Sequence, residues 1–242
     1  MEARLVRAAV LLAAITSLGA SHRTANFIVD APTRELAREV GQRAEDFRRD
    51  LAIGWIGEEM PNWSARCPIT VRVGPSLGAG GATSFSFDRG QVFDWRMNIQ
   101  GTHERILDSV LPHEITHMIF ATHFRAPLPR WADEGACTTV EHDSEKSKQK
   151  NLLVRFLKTG RGISFSRMFA MKDYPRDVLP LDSQGYSLAR FLIASGGKQE
   201  FMAFVGQGMK TEDWSLTVRE FYGDESLRAL QDRWLDWVHR GL

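Results

Sequence analysis

The chain has little of what marks a disulfide scaffold, a membrane bundle or a nucleic-acid binder. Two cysteines in 242 residues, Cys67 and Cys137, exclude a disulfide-dense framework. Lys and Arg number 31 against 30 Asp and Glu, so the formal net charge is only +1, and the signs are interspersed. That balance argues against a strongly basic nucleic-acid surface. Beyond the N-terminus no apolar run approaches the ~20 residues of a membrane span. Tyrosine is scarce as well, so only Tyr174, Tyr186 and Tyr222 can supply a phenolic hydroxyl. What remains, with 43% apolar residues, suffices for one sizeable core or two packed lobes.

The N-terminus has Arg4 and Arg7, an apolar run from Ala8 to Leu18, then small residues Gly19, Ala20 and Ser21. This is the order of a secretory signal peptide. The alternative is an amphipathic first helix of the folded domain. The expected organisation is a leader over 1–20, a lobe over 21–142 with the functional helices, and a helical lobe over 143–242. The mature protein is then exported, periplasmic or extracellular, and free of the membrane unless the leader is retained as an anchor. Export also permits a Cys67–Cys137 disulfide; the competing reading is two buried thiols.

The most informative segment is His113-Glu114-Ile115-Thr116-His117. On a helix, positions 113 and 117 lie within roughly 40° around the axis and one turn apart, so both imidazoles face one ion. Glu114 is about 100° round from His113, placed to address a water without binding the metal. The apolar surroundings, Ile106 to Phe120, suit a buried active-site helix, and Pro112 predicts a kink or restart.

A catalytic zinc site typically takes a third protein ligand and keeps an open position. Glu134, in Pro129-Arg130-Trp131-Ala132-Asp133-Glu134-Gly135, and His123 are the candidates. A sharp turn before His123 would need glycine, and that position is Phe120. A straight helix rotates His123 roughly 120° away from His117. Glu134 is therefore preferred, on a helix-compatible run from Ala132 to Val140, with Asp133 read as a first-turn acid pointing elsewhere.

The block from Leu111 to His142, with His-Glu-any-any-His followed by Trp-any-any-Glu-Gly, resembles the gluzincin zinc metallopeptidases, especially small bacterial peptidase-MA-like proteins. The resemblance implies His113, His117 and Glu134 as ligands of one zinc and Glu114 as the base that activates water. It implies Tyr186 as the stabiliser of the oxyanion, with His142 a weaker choice. Thr138 stands four residues after Glu134, where some relatives have an aspartate bonded to a zinc-binding histidine, so that support does not carry over.

The fold class expected is α+β and zincin-like: an N-terminal helix and mixed sheet over an active-site helix, then an all-helical lobe. Asn26–Val29 and Ile69–Val73 read as strands, about Thr33 to Ile53 as a helix with Leu36, Val40 and Phe47 on its buried side. Gly78, Gly80 and Gly81 read as a flexible break, and Thr83–Phe87 and Val92–Ile99 as a hairpin through Asp88-Arg89-Gly90. The resemblance implies that the Ser84 to Ile99 hairpin supplies the sheet edge that pairs with an extended peptide or protein substrate. Asp143–Asn151 reads as an exposed loop or helix start, followed by helices over Leu152–Leu157, Ser187–Ala194, Phe201–Val205, Leu216–Phe221 and Leu227–Val238. The expected function is a zinc-dependent metallopeptidase. The alternatives are a catalytically inactive zinc-binding module of the same fold and a metzincin-like peptidase using His123.

Overall fold

The computed structural model describes residues 19–241. The leader expected over 1–20 lies almost wholly outside the described residues. Ala20 opens the first strand, β1 (Ala20–Arg23), which pairs antiparallel with β2 (Phe27–Ala31). Helix α1 (Arg34–Ile56) follows, started by Thr33, whose hydroxyl accepts from the Leu36 N–H at 3.2 Å, and ended by Gly57 at φ 86°. Strands β3 (Cys67–Val73), β4 (Gly80–Asp88) and β5 (Gln91–Gly101) complete, among the described residues, a five-stranded sheet of order β1-β2-β3-β5-β4. β3 runs parallel to both β2 and β5, while β4 is antiparallel to β5 and forms one edge. The β4–β5 connection is the expected tight turn, with Arg89 at φ 46° and Gly90 at φ 72°.

Burial alternates as a half-covered sheet requires. Phe27, Val29, Cys67, Ile69, Val71, Trp95, Met97 and Ile99 are buried, while Thr70, Arg72, Arg96 and Asn98 between them face solvent. The covered face packs on α1 and on α3 (Leu111–Phe124), which follows α2 (His103–Arg105) and a π-helical turn over Ile106–Val110. Leu36 and Val40 are buried in α1 and Phe47 is half-buried, as the sequence suggests. Arg48 is buried in α1 as well: its guanidinium lies 4.4 Å from the Trp63 ring centre and donates to the carbonyls of Met60 and Pro61.

The second half is helical: α4 (Arg130–Thr138), α5 (Asp143–Lys158), α6 (Phe165–Phe169), α7 (Leu179–Thr211), α8 (Trp214–Tyr222) and α9 (Leu227–His239). Asp143–Asn151, expected as a loop or helix start, is the first half of α5, because His142 caps it and acids sit in its first turn. The two helices expected over Ser187–Ala194 and Phe201–Val205 are parts of α7, separated by non-helical backbone at Gly197 (φ 85°, ψ 172°). The fold is α+β, with the strands and α1–α3 in the first half and helices alone after Arg130. Among the described residues no helix is long and apolar enough to cross a membrane.

Candidate metal centre

Pro112 would clash with the carbonyl of Asp108, four residues back, in a regular α-helix. The π-helical turn removes the conflict: its end bonds the Leu111 N–H to the Ile106 carbonyl, five residues back, and α3 restarts with proline in its first turn. The restart that Pro112 predicts is thus a widened turn. It sets the azimuth of the next two turns, which carry His113, Glu114 and His117.

The Nε2 atoms of His113 and His117 lie 3.1 Å apart, and Glu134 Oε2 is 3.5 Å from the first and 3.9 Å from the second. Around a four-coordinate ion with bonds of about 2.1 Å, ligand atoms are separated by roughly 3.4 Å, so this triangle fits one. The other ring nitrogens fix the chemistry. His113 Nδ1 donates to Glu141 Oε1 at 2.6 Å, and His117 Nδ1 donates to Asp133 Oδ1 at 2.8 Å. A carboxylate only accepts, so each Nδ1 carries a proton, and in a neutral ring Nε2 is then the atom with the free lone pair. Two lone pairs at 3.1 Å repel unless a cation or proton lies between them. The His113, His117 and Glu134 donor set can therefore hold a metal ion.

Electrostatics agree with that reading. Burial alone would lower the His113 pKa, but hydrogen bonds to Glu134 and Glu141 and the charges of Glu141 and Glu114 raise it to about 10. His117 is likewise disfavoured by burial and raised above its ordinary value by the charge and hydrogen bond of Asp133. Burial would raise Glu134, yet the two imidazoles and Arg130 bring it down to about 2. Without a metal the cluster keeps positive charge as protons; a metal ion would replace them.

Glu134 is held from behind. Arg130 forks onto Asp182 of α7 at 2.9 and 3.0 Å and reaches Glu134 Oε1 at 3.2 Å. α4 and α7 approach so closely that a Cβ on Gly185 would stand 2.6 Å from the Trp131 carbonyl oxygen, and one on Gly135 would meet the Gly185 carbonyl. Glu114 is 4% exposed and accepts from Thr83 Oγ1 of β4 at 2.7 Å. Gly80 and Gly81, expected as a flexible break, lie inside β4. A Cβ on Gly81 would sit 2.5 Å from Glu114 Oε1, so the strand needs glycine there to admit the carboxylate. A cavity of about 280 Å3 lies between Gly81, Thr83 and Phe85 on one side and His113, Glu114, His117 and Glu134 on the other.

The structure brings together His113, Glu114, His117 and Glu134, and leaves Tyr186, His123 and His142 apart from them. Tyr186 is 2% exposed in α7 and does not line this cavity. His123 is exposed near the end of a helix that runs straight on, its ring against Phe124, outside the metal-competent group. His142 is exposed and caps α5. Cys67 and Cys137 are both free and buried, one in β3 and the other with its Sγ 3.3 Å from His117 Nδ1.

Asp133 is corrected: it does stand in the first turn of α4, but its carboxylate grips His117 rather than pointing elsewhere. Glu141 went unread. It stands three residues past the end of α4, at a bend, so helical spacing from Glu134 gives no signal for it. Comparison with family models, curated proteins and solved structures finds no match to the chain.

Proposed function

We propose that the protein is a zinc-dependent metallopeptidase of gluzincin type on a zincin-like fold, acting outside the cytoplasm on a peptide or protein. The observation that carries this reading is the pair of imidazole Nε2 atoms 3.1 Å apart, with Glu134 alongside and the buried Glu114 carboxylate on the adjoining cavity. His113, His117 and Glu134 would hold zinc, because two imidazoles and a carboxylate are its usual donors and leave a fourth position open. Zinc bound there acidifies a water and polarises a carbonyl.

The rest is the work of the chain. Glu114 takes the proton from water and returns it to the departing amine. Thr83 donates to Glu114 Oε2 and holds the carboxylate towards the cavity. Glu141 and Asp133 keep both imidazoles in the tautomer that presents Nε2. β4, at the sheet edge above Glu114, offers backbone groups to an extended substrate, which extends the hairpin assignment to the glycines at its start. Retention of Glu114 favours turnover over an inactive zinc module, since a structural site has no use for a base.

The test pairs elemental analysis with peptide-library cleavage. About one zinc per chain, lost in Glu134→Ala and kept in Glu114→Gln, together with cleavage that falls about a thousandfold in Glu114→Gln, is the expected result. Full zinc with no cleavage would favour the inactive module. Absence of metal uptake would sink the reading.

A further inference from the structure

Past Gly81 the cleft continues along β4 into a second cavity of about 190 Å3, which shares Gly81, His113 and Glu114 with the first. Its far walls are Ser109 and Val110 from the π-helical turn, then Glu141, Glu145 and Gln149. Its polar atoms are mostly acceptors. Glu141 spends Oε1 on His113, leaving Oε2. Among the described residues the Glu145 carboxylate meets only Lys148, at 3.5 Å, and that lysine is 67% exposed and so weakly felt through solvent. Gln149 Oε1 is buried without a hydrogen-bond partner among the described residues. The Ser109 hydroxyl is already committed, donating to Asp108 and accepting from the His142 N–H. No lysine or arginine lines the space.

A pocket beside the catalytic base with carboxylates, an unmet acceptor and, among the described residues, no lysine or arginine matches a group that only donates. The geometry points to a subsite for a lysine or arginine side chain of the substrate, at the residue adjoining the scissile bond, with Glu145 as its main charge partner. The inference rests on the peptidase reading. Glu141 and Glu114 are bound to His113 and Thr83, so Glu145 is the carboxylate most available to an incoming ammonium or guanidinium.

The experiment uses an N-acetylated peptide library, so that only side chains carry positive charge, cleaved by the zinc-loaded chain and by Glu145→Gln and Glu145→Lys. Basic residues should be preferred at one position next to the cut bond by about tenfold or more. The preference should flatten in Glu145→Gln and turn towards Asp and Glu in Glu145→Lys. Cleavage with no basic preference, or one that Glu145→Lys leaves unchanged, overturns the subsite and leaves the peptidase reading intact. A preference seen only with free amino termini also overturns it.

A parallel measurement covers a chain that cuts nothing, which would defeat the peptidase reading. A labelled N-acetylated peptide with lysine or norleucine at its centre is titrated by fluorescence anisotropy against the zinc-loaded protein. Tighter binding of the lysine peptide, abolished by Glu145→Lys, upholds the cation pocket; equal binding, or none, ends it.

Discussion

Of the two walls that bound the cleft, α4 is packed closely against α7, whereas β4 is the last strand of its sheet and packs through one face. Trp131 of α4 lies among Phe169, Phe201, Phe204 and Trp214, with ring centres 4.4–6.4 Å away, and Gly135 sits against the backbone of α7. Along β4 the inward residues Thr83, Phe85 and Phe87 are half-buried and the residues between them exposed. The metal-competent carboxylate thus stands on the closely packed wall, and the surface offered to a substrate on the open one. Ligand geometry tolerates little displacement, and an edge that must admit different side chains gains from fewer contacts.

Four tests sharpen that contrast, beginning with the packed wall. Gly135→Val drives two methyl groups into the Gly185 backbone; a loss of about 3 kcal/mol, or a fall in Tm on the order of 10 °C, is expected by calorimetry, with zinc uptake lost as well. An unchanged Tm would show that α4 is as adjustable as β4. On the open wall, Gly81→Ala displaces Glu114 instead. Turnover should drop by about a hundredfold while Tm and zinc content hold, since a misplacement near 1 Å suffices for such a loss.

Removing the supports behind the imidazoles should be milder. Glu141→Ala and Asp133→Ala are each expected to weaken zinc binding by about 10- to 100-fold in competition with a chelator, with Glu141→Gln recovering part of the loss because its amide oxygen can still accept from Nδ1. Equal affinities across these variants would mean that packing alone orients the rings.

The smallest effect is on the pH dependence of stability in the zinc-free protein. His113 rises to about 10 from an ordinary 6.5, so its contribution is complete below about 6.5 and disappears as pH climbs through about 10. Glu134 falls to about 2 from 4.5, so its contribution is complete above about 4.5 and disappears as pH drops through about 2. The urea midpoint should therefore be greatest between those limits, at about pH 4.5–6.5, as far as this cluster decides it. Zinc should remove the alkaline decline, because the loaded site keeps no proton on Nε2.

Much of the centre is legible in the sequence because it is local. Helical periodicity places His113, Glu114 and His117 without any tertiary contact, and Glu134 follows from its helix-starting context. What the sequence conceals depends on how α4 docks. A rotation of 100° from Glu134 says that Asp133 points elsewhere, but only the crossing of α4 over α3 shows that this direction is the back of His117. Gly80 and Gly81 mislead for a related reason. Glycine is poor in strands, and the advantage of it here comes from Glu114, 33 positions along the chain from Gly81. The helix start offered at Asp143 and the break read at Gly196 and Gly197 are local signals too, and the structure has the first turn of α5 at Asp143 and non-helical backbone at Gly197.

The close imidazole pair has a meaning for folding as well as for chemistry. Most of the chain is satisfied by its own contacts, yet the opening turns of α3 and α4 bring two imidazoles and a carboxylate so close that, without an ion, protons must hold them together. In landscape terms this is a small patch of frustration in an otherwise consistent molecule, and the ion is the missing native contact. Its arrival should quiet these two turns while leaving the distant sheet and the α7 core as they were, a local settling of the ensemble rather than a rescue of the fold.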